Sequence, residues 1–304
     1  MASINTNASA MTALQTLNTI SKNMATTQSR ISTGLRVADA SDNAAYWSIA
    51  TTMRSDNKAN SVVQDAMGLG AGKIDTAYTA MNDAIGVVDQ IKEKVLLAKS
   101  ASTEDRAKIQ TEISALQSHL TDSIGSASYA GENILNTDPA AGTSMSVISS
   151  YNRDSSGAVT TGTIDVTLSD VRLIDSAGNT GILDTTFTTT GTGAVTQSVL
   201  TLDVTAANLD STDFDEMLTG VESALSDMAT GAASLGAAKS RIDLQKEFVS
   251  KLSDAIDRGV GTLVDADMNE ESARLSALQV QQQLGVQALS IANSNAQNVL
   301  SLFR

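Results

Sequence analysis

Residues 1–21 contain no Asp, Glu, Lys or Arg, and neither do residues 275–303. Both stretches are nevertheless apolar at helical spacing. Leu278, Gln282, Gly285, Leu289, Ala292, Ala296 and Val299 advance by alternating steps of four and three, which is a heptad seam. A second row, Leu284, Ala288, Ile291, Asn295, Asn298 and Leu302, runs beside it. Two adjacent rows make a face wider than one partner helix covers. At the other end Ile4, Met11, Leu14, Leu17, Ile20, Met24, Ile31 and Leu35 follow a rougher helical register. Ordinary surface helices carry Lys and Glu on the outer face. These carry Ser, Thr, Asn and Gln, which suits burial among many subunits, where an unpaired charge is costly. The ends are built for an assembly.

Composition agrees. Aromatics make up 3% of the 304 residues, with one Pro and no Cys, which favours long helices zipped by Ala, Leu, Ile, Val and Met over a layered α/β body. Disulfides and thiolate metal sites are excluded. The net charge of −14 disfavours nucleic-acid binding and reads as a solubility device. The first twenty residues lack a basic n-region and a continuous apolar run, so no Sec signal peptide is expected. No apolar window is long enough for a spanning helix.

Inward of the ends, residues 44–125 and 211–258 read as long helices. The first block is expected to break near "GLGAGK" (68–73) and near "SASTED" (100–105), where Ser102 or Thr103 is a reasonable N-cap. The second has Ser211 or Asp213 as its cap, with a seam of Leu218, Val221, Leu225, Met228, Leu235, Ile242, Phe248, Leu252 and Ile256. Residues 141–205 differ: 15 of the 65 are Thr, and "TIDVTL" and "VLTLDV" alternate between turn signals at "DSSG", "SAGN" and "TGTG". The expected fold class is mainly α: a long antiparallel helical bundle or coiled coil made by the N- and C-terminal segments, with a small β-rich insert in the middle.

Catalytic motifs fail on their spacing. "GLGAGK" lacks the glycines and the Ser/Thr that either phosphate-binding pattern requires. "DADMNEESARLS" begins like a calcium loop, but Glu270 replaces the turn glycine and Ser276 the bidentate Glu, leaving an acidic stretch that starts a helix. His119 is the only histidine, and Ser55-x-x-Lys58 has no accompanying K-T-G. No enzyme, metal site or cofactor is expected.

"INTNASAMTALQTLN", "RISTGLRVADASDNAA" and "ALSIANSNAQNVLSLFR", in that order at the two ends, resemble bacterial flagellin across residues 1–137 and 205–304. The Tyr46-Trp47 pair, where small residues are commoner, is similar to flagellins of α-proteobacteria. The resemblance implies a structural subunit of a hollow filament used for swimming. Its terminal helices (1–40 and 262–304) would order on assembly into the inner core, around Ile4, Met11, Leu14, Leu17, Ile20, Leu278, Leu284, Leu289, Ile291, Val299, Leu300 and Leu302. A helical body (41–140 and 206–261) would form the next shell, and the insert (141–205) would face outward. Gly34, Leu35, Arg36, Tyr46 and Trp47 would join core to body, Gly34 relaxing the backbone and Arg36 bonding carbonyls or acids of a neighbour.

The implied partners are copies of the chain, related flagellins, the flagellar export apparatus, an export chaperone and the filament cap. The implied place is the extracellular filament, reached by type III export without a cleaved signal peptide. An innate-receptor patch found in many members has its counterpart at Lys92, Lys94 and Val95, with lysines for arginines and valine for glutamate, so weak or absent recognition is expected. The alternative is the hook–filament junction protein of the same apparatus, which normally carries a larger middle region.

Overall fold

A computed structural model describes the backbone of residues 7–301 and the side chains through Ser294 except that of Ala141. Five helices dominate: α1 (Ala8–Thr33), α2 (Ala44–Ser100), α3 (Thr103–Ser126), α4 (Ser211–Val264) and α5 (Met268–Ser301). Between α3 and α4 lie six strands, β1 (Asn136–Thr137), β2 (Ser144–Arg153), β3 (Val159–Thr167), β4 (Ile174–Asp175), β5 (Phe187–Thr188) and β6 (Thr196–Gln197). The chain divides into two compact units, residues 1–57 with 254–304, and residues 58–253.

The larger unit is organised by heptads. Along α2 a buried row of Val63, Met67, Gly70, Ile74, Ala77, Met81, Ala84, Val88, Ile91, Val95 and Ala98 steps by four and three without interruption. On α4 the row Phe214, Met217, Val221, Ala224, Met228, Gly231, Leu235, Ala238 and Ile242 steps by three and four in the same way, and on α3 Ile109, Ile113, Leu120 and Ile124 are buried at spacings of four and seven. A strict seven-residue repeat of this kind keeps the apolar row facing its partners over many turns.

Three local expectations are corrected. "GLGAGK" does not interrupt α2, because tertiary contact outweighs the low helix propensity of glycine. A Cβ at Gly70 would stand 2.6 Å from the Val147 methyls, and one at Gly72 2.7 Å from the Tyr129 ring. These glycines are notches, Gly70 for the insert and Gly72 for the segment that follows α3. The cap of α4 is Asp210, whose carboxylate accepts from the amides of Thr212 (2.8 Å) and Asp213 (3.1 Å), while Asp213 accepts in return from the Asp210 amide (3.0 Å). Phe248 leaves the α4 seam for solvent, and Val249 takes the buried position. Ser102 does cap α3, accepting from the Asp105 amide.

The insert is a loop-rich segment with one real hairpin. β2 and β3 pair antiparallel from Ser144↔Thr167 to Arg153↔Val159, with a register shift between Ile148 and Ser150. The "DSSG" turn closes the hairpin, with the Asp154 carboxylate accepting from the amides of Ser156 and Ala158. The remaining strands are two-residue pairs, β1 with β4 and β5 with β6. "VLTLDV" is not a strand: Val199–Thr201 is a turn of 3₁₀ helix started by Ser198. Side chains of α3 replace its ladder. Gln117 donates to the carbonyls of Val199 and Leu202, and Gln110 donates to Leu202 and accepts from the Val204 amide, all at 2.9–3.1 Å. With the backbone satisfied, Val199, Leu202 and Val204 enter the common core.

Candidate assembly interface

In the smaller unit α1 and α5 lie antiparallel. The Asn7 amide caps α1 by accepting from the Ala10 N–H and donates to the Ala292 carbonyl at 2.9 Å. Farther along, a Cβ at Gly285 would meet Leu17 Cγ at 3.4 Å, so the glycine leaves room for the leucine. At the opposite end Arg30 Nη1 lies 3.1 Å from Glu271 Oε1. Ala10, Ala13, Leu17, Ile20, Met24 and Thr27 face inward on α1, and Glu271, Leu275, Leu278, Gln282, Gly285, Leu289 and Ala292 on α5. The α5 row is the heptad seam legible in the sequence, extended back by one repeat to Glu271.

The second apolar row is left uncovered. Met11 and Leu14 are 65% and 54% exposed, and Leu284 and Ile291 58% and 61%. Leu17, Ile20, Leu278 and Leu289 therefore belong to the contact between the two helices, while Met11, Leu14, Leu284 and Ile291 point away from it. Ile4 and Leu302 lie outside the described residues, and Val299 and Leu300 sit in a part of α5 whose side chains are not described. A monomer seldom leaves large apolar side chains grouped on a surface without charge unless something binds there.

The joint is a pair of crossing turns. Gly34 takes the left-handed conformation (φ 72°, ψ 5°) and its amide closes α1 on the Arg30 carbonyl. Leu35 then pairs with Asp265. The Ala266 amide donates to the Gly34 carbonyl (2.9 Å) and the Arg36 amide to that of Val264 (2.7 Å). The Arg36 guanidinium reaches the Leu263 carbonyl at 3.0 Å, so its carbonyl partner lies at the C-terminal end of α4 in the same chain. Val37, Ala50, Val260 and Val264 form a small core beneath these turns. Asn43 caps α2 and Asp267 caps α5. Tyr46 and Trp47 are 42% and 37% exposed, although they start a helix next to this core.

In the larger unit Lys92 is paired with Glu222 and Lys94 with Glu112. The Glu222 carboxylate, as a hydrogen-bond partner, holds the Lys92 ammonium above its ordinary pKa. Val95 is fully buried in the core, and Glu93, Leu96 and Leu97 beside it are exposed.

Comparison with known proteins decides what this arrangement belongs to. The family model for the bacterial flagellin N-terminal helical region matches residues 4–139, and that for the C-terminal helical region matches residues 218–303. The chain belongs to the flagellin family. A flagellin of Brucella melitensis is 54% identical over 305 aligned residues, covering all of both chains. Flagellin A of Rhizobium meliloti strain 1021 is 46% identical over 395 aligned residues, and flagellin C of that strain 47% over 326, again covering all of each chain. The chain is thus a structural subunit of the extracellular bacterial flagellar filament, where it polymerises with copies of itself. Residues 140–217, the insert with the start of α4, lie between the two family models.

The sequence pointed to the assembling ends but not to the Asn7, Gly285 and Glu271 contacts between them. A signal for the last was present. Glu271 is seven residues before Leu278, so a charge stands on the seam row itself.

Proposed function

We propose that this flagellin polymerises through the uncovered row of its α1–α5 pair. In this reading Met11, Leu14, Leu284 and Ile291, with Ile4, Val299, Leu300 and Leu302, make the contacts between copies. Leu17, Ile20, Leu278 and Leu289 hold the pair together. The observation that carries it is the exposure of Met11, Leu14, Leu284 and Ile291 on segments without a single charge. Burying such a face among copies gains roughly 25 cal/mol per Å² of apolar surface with no ion to desolvate. A contact between unlike faces that does not close on itself extends into a helical polymer.

Residues 1–40 and 262–304 then form the filament core, 41–140 and 206–261 the next shell, and 141–205 the outward-facing insert. The terminal helices order as the subunit is added, which delays polymerisation until it reaches the growing tip. The Gly34–Leu35–Arg36 turn joins core to body, and exposed Tyr46 and Trp47 meet a neighbouring copy beside it. The subunit leaves by the flagellar type III apparatus without a cleaved signal peptide, with an export chaperone and the filament cap as transient partners, and shares its filament with related flagellins. Its role is mechanical, without catalysis; the one histidine, His119, is exposed on α3.

Limited proteolysis with mass spectrometry, on monomer and on filaments verified by electron microscopy, tests this. The expected result is loss of about the first 40 and last 40 residues from the monomer, with protection in the filament. Termini already protected in a chain that does not polymerise would mean an ordinary bundle.

A further inference from the structure

Most of the α1–α5 seam is unspecific. Ala10, Ala13, Leu17, Ile20 and Met24 face Leu275, Leu278, Gln282, Leu289 and Ala292, and uncharged heptad rows of this kind pair almost equally well when displaced by one repeat. Glu271 breaks the pattern. Its side chain is 6% exposed on the seam row, Oε1 receives Arg30 at 3.1 Å and Arg274 at 3.5 Å, and Oε2 is buried without a hydrogen-bond partner. Its burial is incompletely compensated, which for packing alone is inferior to a leucine.

We infer that Glu271, read by Arg30, determines the register in which α1 pairs with α5. A slip of seven residues brings Glu271 opposite Met24, where the seam row offers no cation, and the buried carboxylate keeps only the 3.5 Å contact with Arg274 of its own helix. The same slip takes Leu17 from the Gly285 notch to Leu278. One displacement thus strands a charge and fills a hole wrongly. The energetic asymmetry lies in the penalty of the wrong register rather than in the strength of the correct one. The hydrogen bonds of the Gly34 and Asp265 turns, at the adjoining ends of α1 and α5, favour the same register, so a slipped pair gives them up as well; Glu271 enforces that register within the helices.

The inference deepens the assembly reading, and the two are separable by experiment. The full chain has no cysteine, so nitroxide labels placed at Ser21→Cys and Gln281→Cys, both exposed, report the α1–α5 distance by pulsed EPR. The distance is read in solution and in polymer diluted with unlabelled chain. The parent is expected to give one distance in the polymer. Glu271→Gln and Arg30→Gln are expected to add a second population, displaced along the axis by roughly 10 Å, the rise of one heptad. The exchange of charges, Arg30→Glu with Glu271→Arg, is expected to restore the single distance, even if a single variant loses the pairing altogether. A Glu271→Gln chain that keeps the parent's one distance, or an exchanged chain that does not regain it, would overturn the inference. Filament formation by the parent, scored separately by microscopy, reports on assembly alone.

Discussion

Gly34 ends α1 at φ 72°, and nothing lies within 4 Å of where its Cβ would be. The requirement for glycine is therefore conformational and not steric. Gly34→Ala is expected to cost about 1 kcal/mol, since an L-residue in the left-handed region pays that much or more. Gly34→Asn is expected to cost less, because asparagine tolerates that region. Hydrogen exchange at the Arg36 and Ala266 amides, whose bonds close the joint, checks this: protection should fall about fivefold in the alanine variant. Equal protection in both variants would contradict the assignment of strain. Trp47 is the converse case. A lone tryptophan is expected from its size to enter a core, yet it starts α2 half-exposed, and no local signal distinguishes these outcomes.

Helical glycines on α2 and α4 are of two kinds. A Cβ at Gly220 would lie 2.5 Å from the Phe187 ring, so the insert packs directly on the α4 backbone there. Gly86, in the interior of α2, is exposed with open space around it. Opposite effects are expected in urea unfolding. Gly220→Ala should lower stability by about 1–3 kcal/mol through overpacking, and Gly86→Ala should raise it by about 1 kcal/mol through helix propensity. A stabilising Gly220→Ala would show that Phe187 repacks freely. Sequence periodicity alone does not separate the two glycines, because each sits within a good helical pattern.

In the larger unit the Thr-rich loop between β5 and β6 is fastened to the start of α4 by carboxylates. Asp210 accepts from the Thr192 amide and hydroxyl, Asp213 from the Gly193 amide, and Glu216 from the Thr190 amide and hydroxyl. The Thr192 amide and hydroxyl hold the Asp210 carboxyl well below the usual carboxylate range, and the Asp210 amide holds Asp213 below it too. Folded pKa values below the unfolded ones mean that this stabilisation is fully present above the ordinary carboxylate pKa, about 4, and is lost as pH falls through the folded values. Asp184 has the opposite sign, since burial raises its pKa, and acid favours it. Amide exchange at Thr192 and Gly193 should thus stay at its neutral-pH opening equilibrium down to about pH 4 and open more readily below it. Asp210→Asn should open the loop already at neutral pH; unchanged exchange in that variant would refute the clamp.

What the sequence by itself determined is whatever follows from period and charge. The heptads of α5 and α4, the break at Ser102, the turn at "DSSG" and the charge-free ends are local properties, and local geometry decides them. They also sufficed to indicate an assembling protein. Tertiary structure decided which of two equivalent apolar rows is covered. It placed Leu278 inside the α1–α5 pair and Ile291 outside it, sent Phe248 to solvent, and kept α2 continuous through the three glycines of "GLGAGK". It also turned "VLTLDV" into a 3₁₀ turn, because Gln110 and Gln117 of α3 satisfied the backbone that a strand partner would otherwise have bonded. The physical reason is common to all of these. Periodicity says that a side chain is to be buried, but the partner that buries it comes from a distant part of the chain or from another copy, and only the packed structure brings the two together.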